Sequence, residues 1–217
     1  MRQTEHSKQF TDTTGEFVKF MKIIGVTGPS GSGKTVFTDY CRSVGIAAID
    51  ADRVYHEMLT PPSKCLDAIR DAFGDKVFNE DGSLNRTALS DIVFTDKQKL
   101  KLLNDTVLGM VVVKIQNIIK ELEIKGHTAV IVDAPTLIES GFNKKCDIII
   151  AVTAPIDLRI ERLIKRDNKS KASILERLAA QLPDEFLISN SDYILENKGD
   201  IKSLSDEIDK LVKIILK

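Results

Sequence analysis

The stretch Gly25-Val26-Thr27-Gly28-Pro29-Ser30-Gly31-Ser32-Gly33-Lys34-Thr35 constrains this chain more than any other. Glycine is unfavourable inside helices and strands because it gives up the most backbone freedom on folding. A cluster of glycines around one lysine therefore needs a reason beyond packing. The segment fits G-x-x-x-x-G-K-[ST], follows the apolar run Ile23-Ile24, and opens a segment that reads as a helix, Lys34 to Ser43. In that context Gly28, Pro29, Ser30, Gly31, Ser32 and Gly33 curl the main chain so that its N–H groups converge on phosphate oxygens. The helix N-terminus adds a positive partial charge. Lys34 is placed for the β- and γ-phosphates and Thr35 for Mg²⁺. The implied ligand is a nucleoside triphosphate.

The rest of the chain alternates strands and helices. Lys22 to Thr27, Ile46 to Ile49, Val130 to Asp133, Ile148 to Val152 and Tyr193 to Leu195 read as five strands. The pattern predicts an α/β sandwich with a parallel sheet. Residues 53–125 read as a helical insertion, broken at Pro61-Pro62, with a turn at Asp81-Gly82 and a cap at Asn85 or Asp81. The β-branched run Val111 to Val113 leaves a kink or a local strand open. Pro155 to Arg166 reads as a helix, followed by a charged flexible stretch, another helix to Gln181, and a final helix from Ile201 to Leu216. Residues 1–20 are polar and aperiodic and read as a flexible extension before a single domain over 21–217.

Three acids fall where ligands bind in open α/β sheets, at carboxyl ends of strands. Asp50 and Asp52 follow the second strand. Asp52 is a candidate to take the proton of an attacking hydroxyl, with helix capping as the alternative. Asp133 ends the third strand and is a candidate Mg²⁺ ligand. Arg159, Arg162, Lys165, Arg166, Lys169 and Lys171 are either a solvated helix face or a lid over about 160–180 that closes on the transferring group.

Bulk properties exclude several classes. Lys and Arg total 31 against 32 for Asp and Glu, so charge points to neither nucleic acid nor a membrane surface. The cysteines Cys41, Cys65 and Cys146 are odd in number and lack metal-ligand spacing, which suits reduced thiols in the cytoplasm. No uninterrupted apolar run approaches a membrane span. Nothing in the sequence addresses oligomeric state.

Together, IGVTGPSGSGKT, IAAIDADRVYHEM, FNEDGSLNRTALSDIVFTD, IVDAPTLIESG, ERLAAQ and SDYILEN followed by glycine resemble the dephospho-CoA kinase family, in order and spacing, over residues 22 to about 200. The resemblance implies a P-loop kinase with a nucleotide core, a helical acceptor domain and a lid. It implies ATP as donor, Mg²⁺ as cofactor and the ribose 3′-hydroxyl of dephospho-CoA as acceptor. It assigns Asp52 as general base, Lys34 and Thr35 to phosphate and Mg²⁺, Arg166 to the lid, Asn197 to the nucleotide site, and Asp81, Arg86 and Leu89 to the acceptor motif. Where the family usually has L-N-x-I-x-H-P, this chain reads Leu103-Asn104-Asp105-Thr106-Val107-Leu108-Gly109. Alternatives are a nucleoside or nucleotide kinase of the same fold, a degenerate binding protein, and a GTP-binding switch. The switch is suggested by N-K-x-D at Asn197 to Asp200, but the third strand ends D-A-P-T without the D-x-x-G glycine.

Overall fold

A computed structural model describes residues 21–216, so the extension expected over 1–20 lies outside the described residues. Five strands form one sheet: β1 (Lys22–Thr27), β2 (Ala47–Asp50), β3 (Ala129–Asp133), β4 (Ile148–Thr153) and β5 (Tyr193–Glu196). Their order is β2-β3-β1-β4-β5 and every pairing is parallel. The chain leaves β1 toward one side and later crosses to the other. That switch opens a crevice beyond the carboxyl ends of β1 and β3.

Both faces of the sheet are covered, because successive side chains of a strand point to opposite sides. Ile24, Val26, Ile131, Ile150 and Val152 pack against α1 (Lys34–Ser43) and α9 (Ile201–Ile215). Val130, Val132 and Ile149 pack on the other face with α2 (Ala51–Met58) and Val111, Ile115 and Ile119 of α5 (Lys97–Ile124). The result is a three-layer α/β sandwich.

The helical segment adds α3 (Lys64–Phe73) and α4 (Arg86–Phe94) and has a core of its own, with Ile69, Phe73, Leu89, Val93 and Val107 buried together. Its helix starts follow local chemistry. Ser63 accepts from the N–H groups of Cys65 and Leu66, Asn85 from that of Ala88, and Asp96 from those of Gln98 and Lys99. No strand interrupts α5 at Val111 to Val113, where the helix is continuous: tertiary packing of Val111 and Ile115 overrides the low helix propensity of β-branched residues. Although no bare apolar run stands out in the sequence, α5 is long and apolar enough by length and composition to cross a membrane, with a mean hydropathy of 1.4. Val107, Val111, Ile115 and Ile119 of this helix are buried against the sheet core and the neighbouring helices.

Past β4, α6 (Ile156–Asp167) runs one residue beyond Arg166, and only a short loop around Asn168 separates it from α7 (Lys171–Ala179). The charged stretch is thus more regular than its composition suggests. A further helix, α8 (Asp184–Ser189), begins directly after Pro183, whose fixed φ suits a helix start.

Candidate active site

The loop between β1 and α1 takes the shape its glycines permit. Gly28 has φ of +146°, and a Cβ there would stand 2.1 Å from the Val152 carbonyl oxygen. Gly33 has φ of +102°, and a Cβ there would meet Asn197 Nδ2 at 2.3 Å. Both conformation and space therefore exclude a side chain at these positions.

Three consecutive carbonyls on the outer side of the loop are each met by a side-chain donor. Ser30 O accepts from Arg159 Nε at 3.2 Å, Gly31 O from Arg162 at 3.0 Å, and Ser32 O from Asn197 Nδ2 at 3.0 Å. In a planar trans peptide the carbonyl and the next residue's N–H point opposite ways. Drawing these carbonyls outward turns the N–H groups of Gly31 and Gly33 toward the cleft. Among the described residues no acceptor meets those two N–H groups or the first N–H groups of α1, at Lys34 and Thr35. Lys34 Nζ lies across the loop, donating to Gly28 O at 2.7 Å.

The cleft beside this loop has a volume of about 290 Å³. Lys34, Arg162, Arg166 and Arg177 line it on one side of the charge balance, and Asp50, Asp52 and Asp133 on the other. Asp50 and Asp133 are register partners at the ends of β2 and β3. Asp50, not Asp52, caps α2, accepting from the Arg53 N–H at 3.0 Å. The turn into helix at Ala51 keeps Asp52 at the cleft beside Asp50 instead of carrying it onward along the strand direction. Burial, then the neighbouring Asp50 charge, raises the pKa of Asp52, with Lys34 opposing. Solvent in the cleft still reaches this side chain and tempers the shift.

Burial likewise raises the pKa of Asp133 and lowers that of Lys34, each partly offset by the other's charge. Asp133 Oδ2 accepts from Thr38 Oγ1 at 3.1 Å, while its buried Oδ1 has no partner among the described residues. A buried carboxylate oxygen without a partner beside Thr35 suits a hard cation. The described residues hold no cluster of three His, Cys, Asp or Glu side chains that could cage such an ion by themselves.

Several expected residues stand elsewhere. Asn197 does not line the cleft; it is buried at 4 % exposure behind the loop, where it also accepts from Arg162 at 3.0 Å. Leu89, at 5 % exposure, is part of the core of the helical layer. Asp81 closes its turn by accepting from the Ser83 N–H and hydroxyl at 2.9 and 2.6 Å. Arg86 is exposed in the first turn of α4. Neither Asp81 nor Arg86 lines the cleft. Arg166 does, paired with Asp167 at 2.6 Å, and Arg177 joins the same carboxylate at 2.9 Å. Arg159 is buried, paired with Asp184 at 2.7 Å, and so is not a lid charge.

Arg177 and Gln181 were not singled out from sequence. Their signal is the spacing in ERLAAQ, which sets them four apart near the end of α7. The N-K-x-D string has a structural account: Asn197 braces the loop, and Asp200 caps α9 by accepting from the N–H groups of Lys202 and Ser203.

The chain has relatives among known proteins in both sequence and fold. A family model described as dephospho-CoA kinase matches residues 22–203. A dephospho-CoA kinase of Carboxydothermus hydrogenoformans is 34% identical over 188 residues, covering 87% of this chain and 91% of that protein. Among solved structures, TT1252 from Thermus thermophilus superimposes with a TM-score of 0.75 at 28% identity, covering 90% of this chain and 98% of that one. The dephospho-CoA kinase from Campylobacter jejuni gives 0.66 at 25% identity, with the same two coverages of 90% and 98%.

Proposed function

The chain belongs to the dephospho-CoA kinase family, and on that premise we propose that it transfers the γ-phosphoryl group of ATP to the ribose 3′-hydroxyl of dephospho-CoA, yielding CoA. The observation that carries the reading is the cleft itself, where glycine-loop N–H groups, four cationic side chains and Asp52 line one volume.

Phosphoryl transfer asks the protein mainly for alignment and charge stabilisation. The inward N–H groups and Lys34 hold the β- and γ-phosphates. Asp52 orients the acceptor hydroxyl and takes its proton. Arg166 and Arg177, tied through Asp167, meet the equatorial oxygens of the transferring group. The Thr35 hydroxyl and Asp133 would hold Mg²⁺ when it is bound, and the ion would then supply charge neutralisation for the phosphates. The helices over 53–125 serve as the acceptor domain, with Asp81 and Arg86 at its exposed turn, and α6 and α7 serve as the lid. Free thiols at Cys41, Cys65 and Cys146 fit a cytoplasmic setting.

An ADP-release assay with purified protein tests the acceptor. Dephospho-CoA should support turnover, whereas nucleosides and nucleoside monophosphates should give background rates. Faster turnover with any of those than with dephospho-CoA would transfer the assignment to another kinase of this fold.

A further inference from the structure

Gln181 lies just past the end of α7, four residues beyond Arg177. It does not line the cleft, yet its carboxamide takes hold of the phosphate loop at two points. Oε1 accepts from the Ser30 N–H at 3.0 Å, and Nε2 donates to Ser30 Oγ at 2.7 Å. A primary carboxamide fits this pairing because it carries one acceptor and one donor on the same planar group. With Arg159 on the Ser30 carbonyl, all three polar atoms of Ser30 are fixed by side chains from beyond β4.

The direction of the Ser30 N–H has a consequence one bond away. Held outward by Gln181, it leaves the Pro29 carbonyl pointing the opposite way. There that carbonyl accepts from the Ser32 N–H at 3.2 Å and lies 3.5 Å from Lys34 Nζ. Gln181 therefore sets the first peptide of the curl that aims the later N–H groups inward. The same segment supplies Arg177 to the cleft.

We propose that Gln181 is a positioning residue for nucleotide binding, tying the lid segment that carries Arg177 to the phosphate loop through the N–H and hydroxyl of Ser30. The proposal deepens the phosphotransfer reading and rests on it. A loop so tied is organised before the nucleotide arrives, and withdrawal of α7 loosens loop and arginine together.

The test replaces Gln181 by methionine, of similar length and without either hydrogen-bonding group, and reads ATP binding by calorimetry alongside kcat and both KM values. ATP binding should weaken about tenfold, with the acceptor KM unchanged within about twofold, since one hydrogen-bonded group is worth about that much. Ser30→Ala should weaken ATP binding less, and the double variant should bind ATP no more weakly than Gln181→Met, because the two changes remove a shared contact. ATP affinity within about twofold of the parent, additive losses, or equal losses for both substrates would each overturn the proposal. If Gln181→Met does not fold, Ser30→Ala decides alone: weaker ATP binding upholds the tie, and unchanged binding removes it. A parent chain that binds ATP but leaves dephospho-CoA unchanged would instead strike the acceptor assignment, leaving the Gln181 result standing on ATP affinity.

Discussion

A proton acceptor at Asp52 must be ionised to work, yet its surroundings favour the protonated form. The acid limb of the kcat/KM profile should therefore lie above the ordinary carboxylate range near about 3.9. Asp52→Asn should lower kcat by about 10²–10⁴-fold, leave ATP affinity nearly unchanged, and abolish that limb; steady-state kinetics across pH checks all three. At Asp133 the sign applies to stability. Its folded pKa is raised by burial, so its contribution is fully present when protonated at low pH and is lost as pH rises through the folded value. Burial thus works against the charged carboxylate, and Asp133→Asn should raise the thermal midpoint of the ligand-free protein at neutral pH while weakening Mg²⁺-dependent turnover. An unchanged or lower midpoint would remove the claim that this carboxylate is held at a cost. Gly28→Ala should destabilise by more than about 2 kcal/mol, read by chemical denaturation, because it imposes an unfavourable φ and a backbone clash at once.

Among the elements, α9 separates two meanings of one short string. If Asp200 is a helix cap, Asp200→Ala costs about 1 kcal/mol of stability and leaves ATP affinity intact. If it reads a guanine base, the same change abolishes GTP binding with little loss of stability; paired denaturation and nucleotide-binding measurements decide. The elements also show what was legible in sequence. β1 and α1 were placed to the residue because a glycine loop punctuates strand and helix sharply. The helix starting at Ala51 put the cap on Asp50, a distinction that rests on φ and ψ at a single residue. The unbroken course of α5 through Val111 to Val113 was not legible, since it depends on partners from α2 and the sheet. Likewise the burial of Arg159 depends on Asp184, a partner 25 positions away that helical spacing cannot announce.

In the molecule as a whole, the sheet brings together residues far apart in the chain. Lys34, Asp52, Asp133 and Arg166 converge only because β1, β2, β3 and β4 lie side by side with their carboxyl ends aligned. The phosphate loop and the strand-end acids were legible because each carries its chemistry in local pattern. The burial of Asn197 and Leu89 was not legible, because local sequence does not distinguish a residue lining a cleft from one packed behind it. Binding at such a convergence should couple to global stability: at about 100 times the dissociation constant, ATP should add about 2.7 kcal/mol. Thermal unfolding in Mg·ATP should then rise by about 5–10 °C for a chain of this size.

A crystal structure with a non-hydrolysable ATP analogue, Mg²⁺ and dephospho-CoA addresses the phosphotransfer reading most directly. The β- and γ-phosphates should accept hydrogen bonds from the N–H groups of Gly33 and Lys34, with the ribose 3′-hydroxyl within hydrogen-bond reach of Asp52. A triphosphate bound away from the glycine loop, or a 3′-hydroxyl turned from Asp52 and from the γ-phosphate, would contradict it.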